Sequence, residues 1–230
     1  MHQISLPESI TDLLISQPIE LPIFHPVALK LQRMLSDKDF VVDEISKVAN
    51  EDQSLASQML KMANSPVYMG RTKVATIKEA TMRLGAQQVI NIAIAASQAS
   101  SHASDDPAFT LYMDELWLHS HGSALGARWL AHNCGLPGIA DETYLAALLH
   151  DVGKLYLLKS IEQLVKTGAI PKMLSDDQVI QIFDTMHVEQ GKRLMQHWNF
   201  PPMYCEVVRD HHLQELDPVN KMLAIVKFVN

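Results

Sequence analysis

The sequence predicts an all-α fold, on two observations. Hydrophobic spacing follows the helical period nearly throughout, and no stretch combines strict alternation with β-branched residues over a strand's length. Residues 1–20 read as a lead-in helix. After His25, Pro26 suits a first helical position, and Val27, Leu31, Met34 and Leu35 recur at i, i+4, i+7 and i+8 before a stop near Ser36-Asp37. A short helix over 42–50 follows. Leu55, Met59, Met62 and Ala63 then set the stripe of a helix that ends at Asn64-Ser65-Pro66. Beyond a turn with Gly70, Ile77, Ala80 and Leu84 mark a helix closed by Gly85. Val89, Ile90, Ala93 and Ile94 mark another that fades into 97–104.

The polar segment 100–107, ending in Asp-Asp-Pro, is the expected linker. After it a long helix is expected over 111–133, ending at Gly135. Leu145, Leu148, Leu149, Val152 and Leu155 form a core stripe that carries His150-Asp151 on one helix. Further helices are expected over 176–185, 187–199, 202–212 and 218–230, the last closing in an apolar run without a cap. The expected division is thus a lead-in over 1–20, a helical part over 21–104 and a second helical part over 105–230.

Composition narrows the function classes. With 230 residues, 47% hydrophobic and 20% charged, the chain has material for one large or two modest domains and is not a disordered tail. Lys and Arg number 19 against 26 Asp and Glu, a net charge of −7, so the surface as a whole is not built to hold phosphate backbones and no nucleic-acid partner is expected. Cys134 and Cys205, far apart, match neither a disulfide scaffold nor a zinc ribbon and fit a reducing compartment. The start, Met1-His2-Gln3-Ile4-Ser5, lacks a basic and apolar leader, and no apolar run reaches the ~18 residues of a membrane span. A cytoplasmic protein without a membrane partner is expected.

Histidines (11) outnumber glycines (9) and thicken toward the C-terminal half, which is where chemistry is sought. Asp151, with Leu148 and Leu155 at i−3 and i+4, falls on a core-facing side, where an unpaired charge is costly. Ala146, Ala147 and Gly153 leave space beside His150. His119 shares a face with Gly122, Ser123 and Gly126, His187 one with Gly191, Leu194, Met195 and Trp198, and His211 one with Tyr204, Val207 and Val208. Inward histidines from four segments plus a carboxylate form a nitrogen and oxygen donor set suited to Mn, Fe, Mg or Zn. His2, His25, His102, His121, His132 and His197 read as ordinary hydrogen-bonded or surface residues. Arg71, Lys73, Lys78 and Arg83 read as a solvated basic face, and most of the twelve methionines as core filler.

Leu149-His150-Asp151-Val152-Gly153-Lys154 resembles the signature of the HD superfamily of metal-dependent phosphohydrolases, in which histidines and aspartates from several helices hold one or two metals. The N-terminal half is similar to the HDOD domain in Leu21-Pro22, His25-Pro26, Asp52-Gln53-Ser54-Leu55, Ala63-Asn64-Ser65-Pro66 and Ala80-Thr81-Met82-Arg83-Leu84-Gly85. Trp117-Leu118-His119-Ser120, His187-Val188-Glu189-Gln190-Gly191, Trp198-Asn199-Phe200-Pro201 and His211-His212 continue it in order, from about residue 21 to residue 230.

The resemblance implies a helical N-terminal subdomain and an HD-like subdomain. It implies His119, His150, Asp151, His187, His211 and His212 as ligands of a divalent metal, and Lys154 as a cation near a phosphate. HDOD domains are regarded as bacterial signalling modules, so the resemblance implies a regulatory module whose partner is a signalling protein or a small phosphorylated ligand. The alternative is a metal-dependent phosphohydrolase, with Asp151 and Lys154 catalytic. Three departures from the related cyclic-di-GMP phosphodiesterases weigh toward binding: Leu213 follows the His pair where they have Glu, no Gly-Tyr-Pro occurs, and Asn230 falls where a last Asp ligand is expected.

Overall fold

The computed structural model describes residues 8–16, 24–34, 41–68, 70–170, 174–214 and 219–230, and among them every regular element is helical. His2, Leu21-Pro22, Leu35, Ser36-Asp37, Met69 and Pro218 lie outside the described residues. Two compact units are present, one within Pro22–Ser101 and one combining Met1–Leu21 with His102–Asn230. Helix α1 (Glu8–Ser16) belongs to the second and lies against its α9 (Val152–Lys166).

The first unit contains α2 (Pro26–Met34), α3 (Val42–Ala49), α4 (Gln53–Ala63), α5 (Ile77–Leu84) and α6 (Ala86–Ser101). Caps set these ends locally. The Asp52 carboxylate accepts from Leu55 N at 2.8 Å to open α4, and Thr76 Oγ1 accepts from Glu79 N at 3.1 Å to open α5. Gly85, at φ +88°, ends α5 where a side chain would be strained. Helix α6 is buried along Gln88–Gln98 because α2, α4 and α5 all pack on it, and its apolar middle from Val89 to Ala96 fills that position. It runs on to Ser101 instead of fading from Ser97. Serines continue it because their hydroxyls bond back to carbonyls one turn earlier, Ser100 to Ala96 O and Ser101 to Ser97 O.

The second unit adds α7 (Pro107–Asn133), α8 (Ala140–Leu149), α10 (Asp176–His197), α11 (Pro202–Asp210) and α12 (Lys221–Val229). Helices α7 and α8 pack together, as do α9 and α10, around Met113, Tyr144, Leu145 and Tyr156, each 0–1% exposed. Each such side chain contributes about 1.5–3 kcal/mol by leaving water.

Four sequence expectations are corrected here. Helix α7 begins at Pro107, not near Leu111, because the Asp106 carboxylate accepts from Ala108 N at 3.0 Å and Pro107 takes the first helical position. Helix α10 runs unbroken through Thr185, whose hydroxyl bonds Gln181 O at 2.7 Å, so no break separates 176–185 from 187–199. Helix α11 stops at Asp210, leaving His211-His212 beyond its end. The core stripe around His150-Asp151 spans two helices, α8 and α9, with those two residues at the joint between them.

Candidate metal centre

His150 closes α8 and Asp151 precedes α9, so both leave the chain where the backbone changes direction. The His150 ring is wholly buried and donates Nδ1–H to Ala147 O at 2.6 Å, which turns Nε2 into the cluster. His187 on α10 bonds Phe183 O through Nδ1 at 2.5 Å, and His211 bonds Val208 O through Nδ1 at 2.9 Å. In all three the backbone fixes the ring so that Nε2 faces inward.

These nitrogens gather around one carboxylate. Asp151 Oδ2 lies 3.4 Å from His119 Nε2 and 3.3 Å from His150 Nε2. Its Oδ1 lies 3.5 Å from His211 Nε2 and 3.7 Å from His187 Nε2, with His212 Nε2 3.0 Å from that of His187. Asp151 therefore belongs to two donor groups: His119 and His150 on one side, and His187, His211 and His212 on the other. Within each group the donor atoms all lie within 4.8 Å of one another. His119 from α7 is 37% exposed and His212 is exposed, so both groups reach solvent, whereas Asp151, His150 and His211 are buried.

Asn230, which follows α12, completes the first group. Its Oδ1 lies 3.0 Å from His150 Nε2 and 3.1 Å from His119 Nε2. Contacts with α7 place it there: Ser123 Oγ bonds Val229 O at 3.4 Å, and Gly126 faces the Val229 side chain.

One expectation about neighbours changes. The room that Gly153 provides is not beside the His150 imidazole. It lies under the backbone of α10, where His187 and Gly191 cross close to it. Lys154 Nζ donates to Asp151 Oδ2 at 2.6 Å, within the same turn of α9. Of the histidines read as ordinary, His25 pairs with Asp52 in the first unit at 3.4 Å, and His121 stacks on Trp117 with centroids 4.9 Å apart.

The electrostatics suit a cation. Burial alone would raise the Asp151 carboxyl, but the His150 charge and the imidazoles of His119, His150 and His211 beside it hold it far below the ordinary carboxylate range. Burial works against a charged His150 as well, yet Asp151 beside it outweighs that and pushes the imidazole up. Burial pushes His187 down to about 4 and lowers His212, so these two are neutral donors at physiological pH. Asp151 Oδ1 is buried without a hydrogen-bond partner, an arrangement that costs stability unless a cation compensates it. An orphaned carboxylate oxygen facing several imidazole nitrogens fits a divalent metal of the Mn, Fe or Zn type.

The HDOD domain family model matches residues 21–214. This chain belongs to the HDOD family.

Several known proteins are similar to it over most of its length. An HDOD domain protein of unknown function from Geobacter sulfurreducens, known from a crystal structure, is 26% identical with a TM-score of 0.73, covering 96% of this chain and 75% of its own. A candidate metal-dependent phosphohydrolase from Shewanella amazonensis SB2B shares the fold at 21% identity and a TM-score of 0.76, covering 96% of this HDOD chain and 80% of its own. An uncharacterised protein of Treponema pallidum (strain Nichols) is 25% identical over 92% of this chain, which spans 42% of that relative's length.

The HDOD motifs of the first unit have structural work. Asn64 donates Nδ2 to Val74 O and accepts from Val74 N, both at 2.9 Å, and Arg83 bonds Ala63 O at 2.7 Å and Thr72 O at 2.8 Å. The backbone carbonyls that anchor the ring nitrogens escaped the sequence reading. A histidine on a helix has the carbonyl at i−3 or i−4 within reach, and that spacing was the available signal.

Proposed function

We propose that this chain is a bacterial, cytoplasmic regulatory HDOD module that holds a divalent metal at the Asp151 cluster and works by binding a signalling protein or a small phosphorylated ligand, without turnover. The observation that carries this reading is that Asp151 is the cluster's only carboxylate among the described residues, with one of its oxygens already bonded to Lys154. Two-metal phosphohydrolysis stabilises attacking and leaving oxygens with a pair of dications, and one shared carboxylate compensates two dications poorly. Asn230 adds a neutral amide oxygen, which leaves the charge balance unchanged.

His119, His150, Asp151, His187, His211 and His212 would hold the metal. When bound, it would supply a Lewis acid and an acidified water. The second reading, a metal-dependent phosphohydrolase, is favoured by the number of histidines converging on Asp151 and by a lysine in contact with it; Asp151 and Lys154 would then be the catalytic pair. No described helix is long and apolar enough to cross a membrane.

Metal analysis of the purified chain, paired with a screen of phosphoesters and nucleotides, tests the proposal. The expected result is a metal that is lost in Asp151→Ala, with no phosphate released from any compound. Metal-dependent release that disappears in Asp151→Ala would select the enzyme reading.

A further inference from the structure

Helix α7 is buried along one side only. That side, through Met113, Leu116, Ser120, Ala124 and Ala127, belongs to the core of the second unit, where α8, α9 and α12 lie against the helix. The opposite side repeats at alternating steps of four and three residues: Leu111, Glu115, Leu118, Gly122, Leu125 and Trp129. This is the spacing of a coiled-coil seam, about 27 Å long from end to end. It is open among the described residues: Leu111, Leu118 and Trp129 are 64%, 74% and 66% exposed, and a Cβ on Gly122 would meet nothing within 4 Å. Large apolar side chains aligned in this way on one face mark a protein contact.

Charge divides along the seam. Asp114 and Glu115 lie toward its start, His132 and Lys221 at its end, all four exposed and none in an ion pair with a described residue. Lys221 stands beside Leu130 and Cys134, in the groove between α7 and α12. Asp114 and His132, five turns apart, share one flank of the helix. Glu115 lies on the other flank with Gly126, the side on which Val229 of α12 approaches.

We propose that this face of α7 is a homodimer interface, in which two copies of the chain pair their α7 helices antiparallel about a two-fold axis at Gly122. The polarity of the charges decides both occupant and direction. About that axis Glu115 of one copy meets Lys221 of the other on one flank, Asp114 meets His132 on the other flank, and symmetry makes each pair twice. Parallel pairing would set acid against acid instead. The antiparallel arrangement also opposes the two helix dipoles. Gly122 lets the backbones approach where they cross, Leu118 of one copy packs beside Leu125 of the other, and Trp129 is buried at each end as an anchor of the kind that dominates interface energy. The pairing is independent of what the Asp151 cluster holds.

Sedimentation equilibrium of the full chain at micromolar concentration tests the proposal. The wild type is expected at twice its 25.7 kDa mass. Leu118→Glu and Trp129→Glu, both at exposed positions, should each give a monomer with the circular dichroism of the wild type. Glu115→Lys alone and Lys221→Glu alone should each weaken association about tenfold or more, because like charges then face each other twice. The two reversals combined should return it to within about threefold of the wild type, as coupled neighbours require. Direction is read by cross-linking in a Cys134→Ser, Cys205→Ser background: Gly122→Cys should form a disulfide between copies on mild oxidation, and Leu111→Cys should not. A monomeric wild type, a dimer that survives both glutamate variants, no recovery in the combined reversal, no disulfide from Gly122→Cys or a disulfide from Leu111→Cys would overturn the inference.

Discussion

A Cβ atom placed on Gly153 would lie 1.9 Å from the carbonyl oxygen of His187. The glycine of the His-Asp-Val-Gly-Lys run is therefore where α9 and α10 touch backbone to backbone, and where the spacing between Asp151 and His187 is set. Gly191 completes the crossing, with a Cβ there 2.8 Å from the Val208 side chain.

Gly153→Ala should be among the most damaging single substitutions in the chain. The contact is with backbone, so α10 must move, and overpacking of this kind costs about 1–3 kcal/mol or more. Urea denaturation should show that loss, and metal affinity should fall with it as His187 shifts. Gly191→Ala meets the Val208 side chain instead of backbone and should cost less. Equal, small effects for both would contradict the crossing described here.

Asn64→Ala should destabilise the Pro22–Ser101 unit by about 1–3 kcal/mol, since it leaves Val74 N and Val74 O without their partner. Asn64→Asp, which keeps the acceptor and loses the donor, should be no milder. Metal binding at Asp151 should be unchanged in both once the folded fraction is taken into account. An Asn64→Ala protein of wild-type denaturation midpoint would show that the clamp is dispensable.

The Asn64 clamp and the Gly153 crossing mark what the sequence can and cannot carry. Ends fixed by neighbouring residues were legible: Gly85 closes α5 and Asn64-Ser65-Pro66 follows α4 as the spacing predicts. The joint at His150-Asp151 was not, because Leu148, Leu149, Val152 and Leu155 continue one hydrophobic stripe straight across it, with no breaker until Gly153. The histidines and Asp151 were legible as donors because their motifs and inward spacing are local. What Gly153 touches depends on a helix about thirty-five residues further on, and no local pattern contains that. Lys154 beside Asp151 was within reach of i, i+3 reasoning.

Glu162 makes stability depend on acid. It is nearly buried and accepts from Lys166 Nζ and Ser104 Oγ, each at 2.8 Å, and from Lys159 Nζ at 3.3 Å. Burial alone would raise its carboxyl, but those bonds hold it below its ordinary value. A carboxyl depressed in the folded state binds fewer protons there than when unfolded, so its stabilisation is present above the unfolded pKa of 4.5 and is lost as pH falls through the folded value. Glu162→Gln should therefore cost about 1–3 kcal/mol near neutral pH. Denaturation curves of variant and wild type should converge in acid. A gap that persists or widens in acid would reverse the sign.

The most direct measurement is turnover of cyclic-di-GMP by the Mn²⁺-loaded wild-type chain, with Asp151→Ala alongside. The account predicts that the wild type retains its metal, that Asp151→Ala loses it, and that neither linearises the dinucleotide. Robust Mn²⁺-dependent cleavage by the wild type, abolished in Asp151→Ala, would contradict a module that works by binding and would make the cluster an active site.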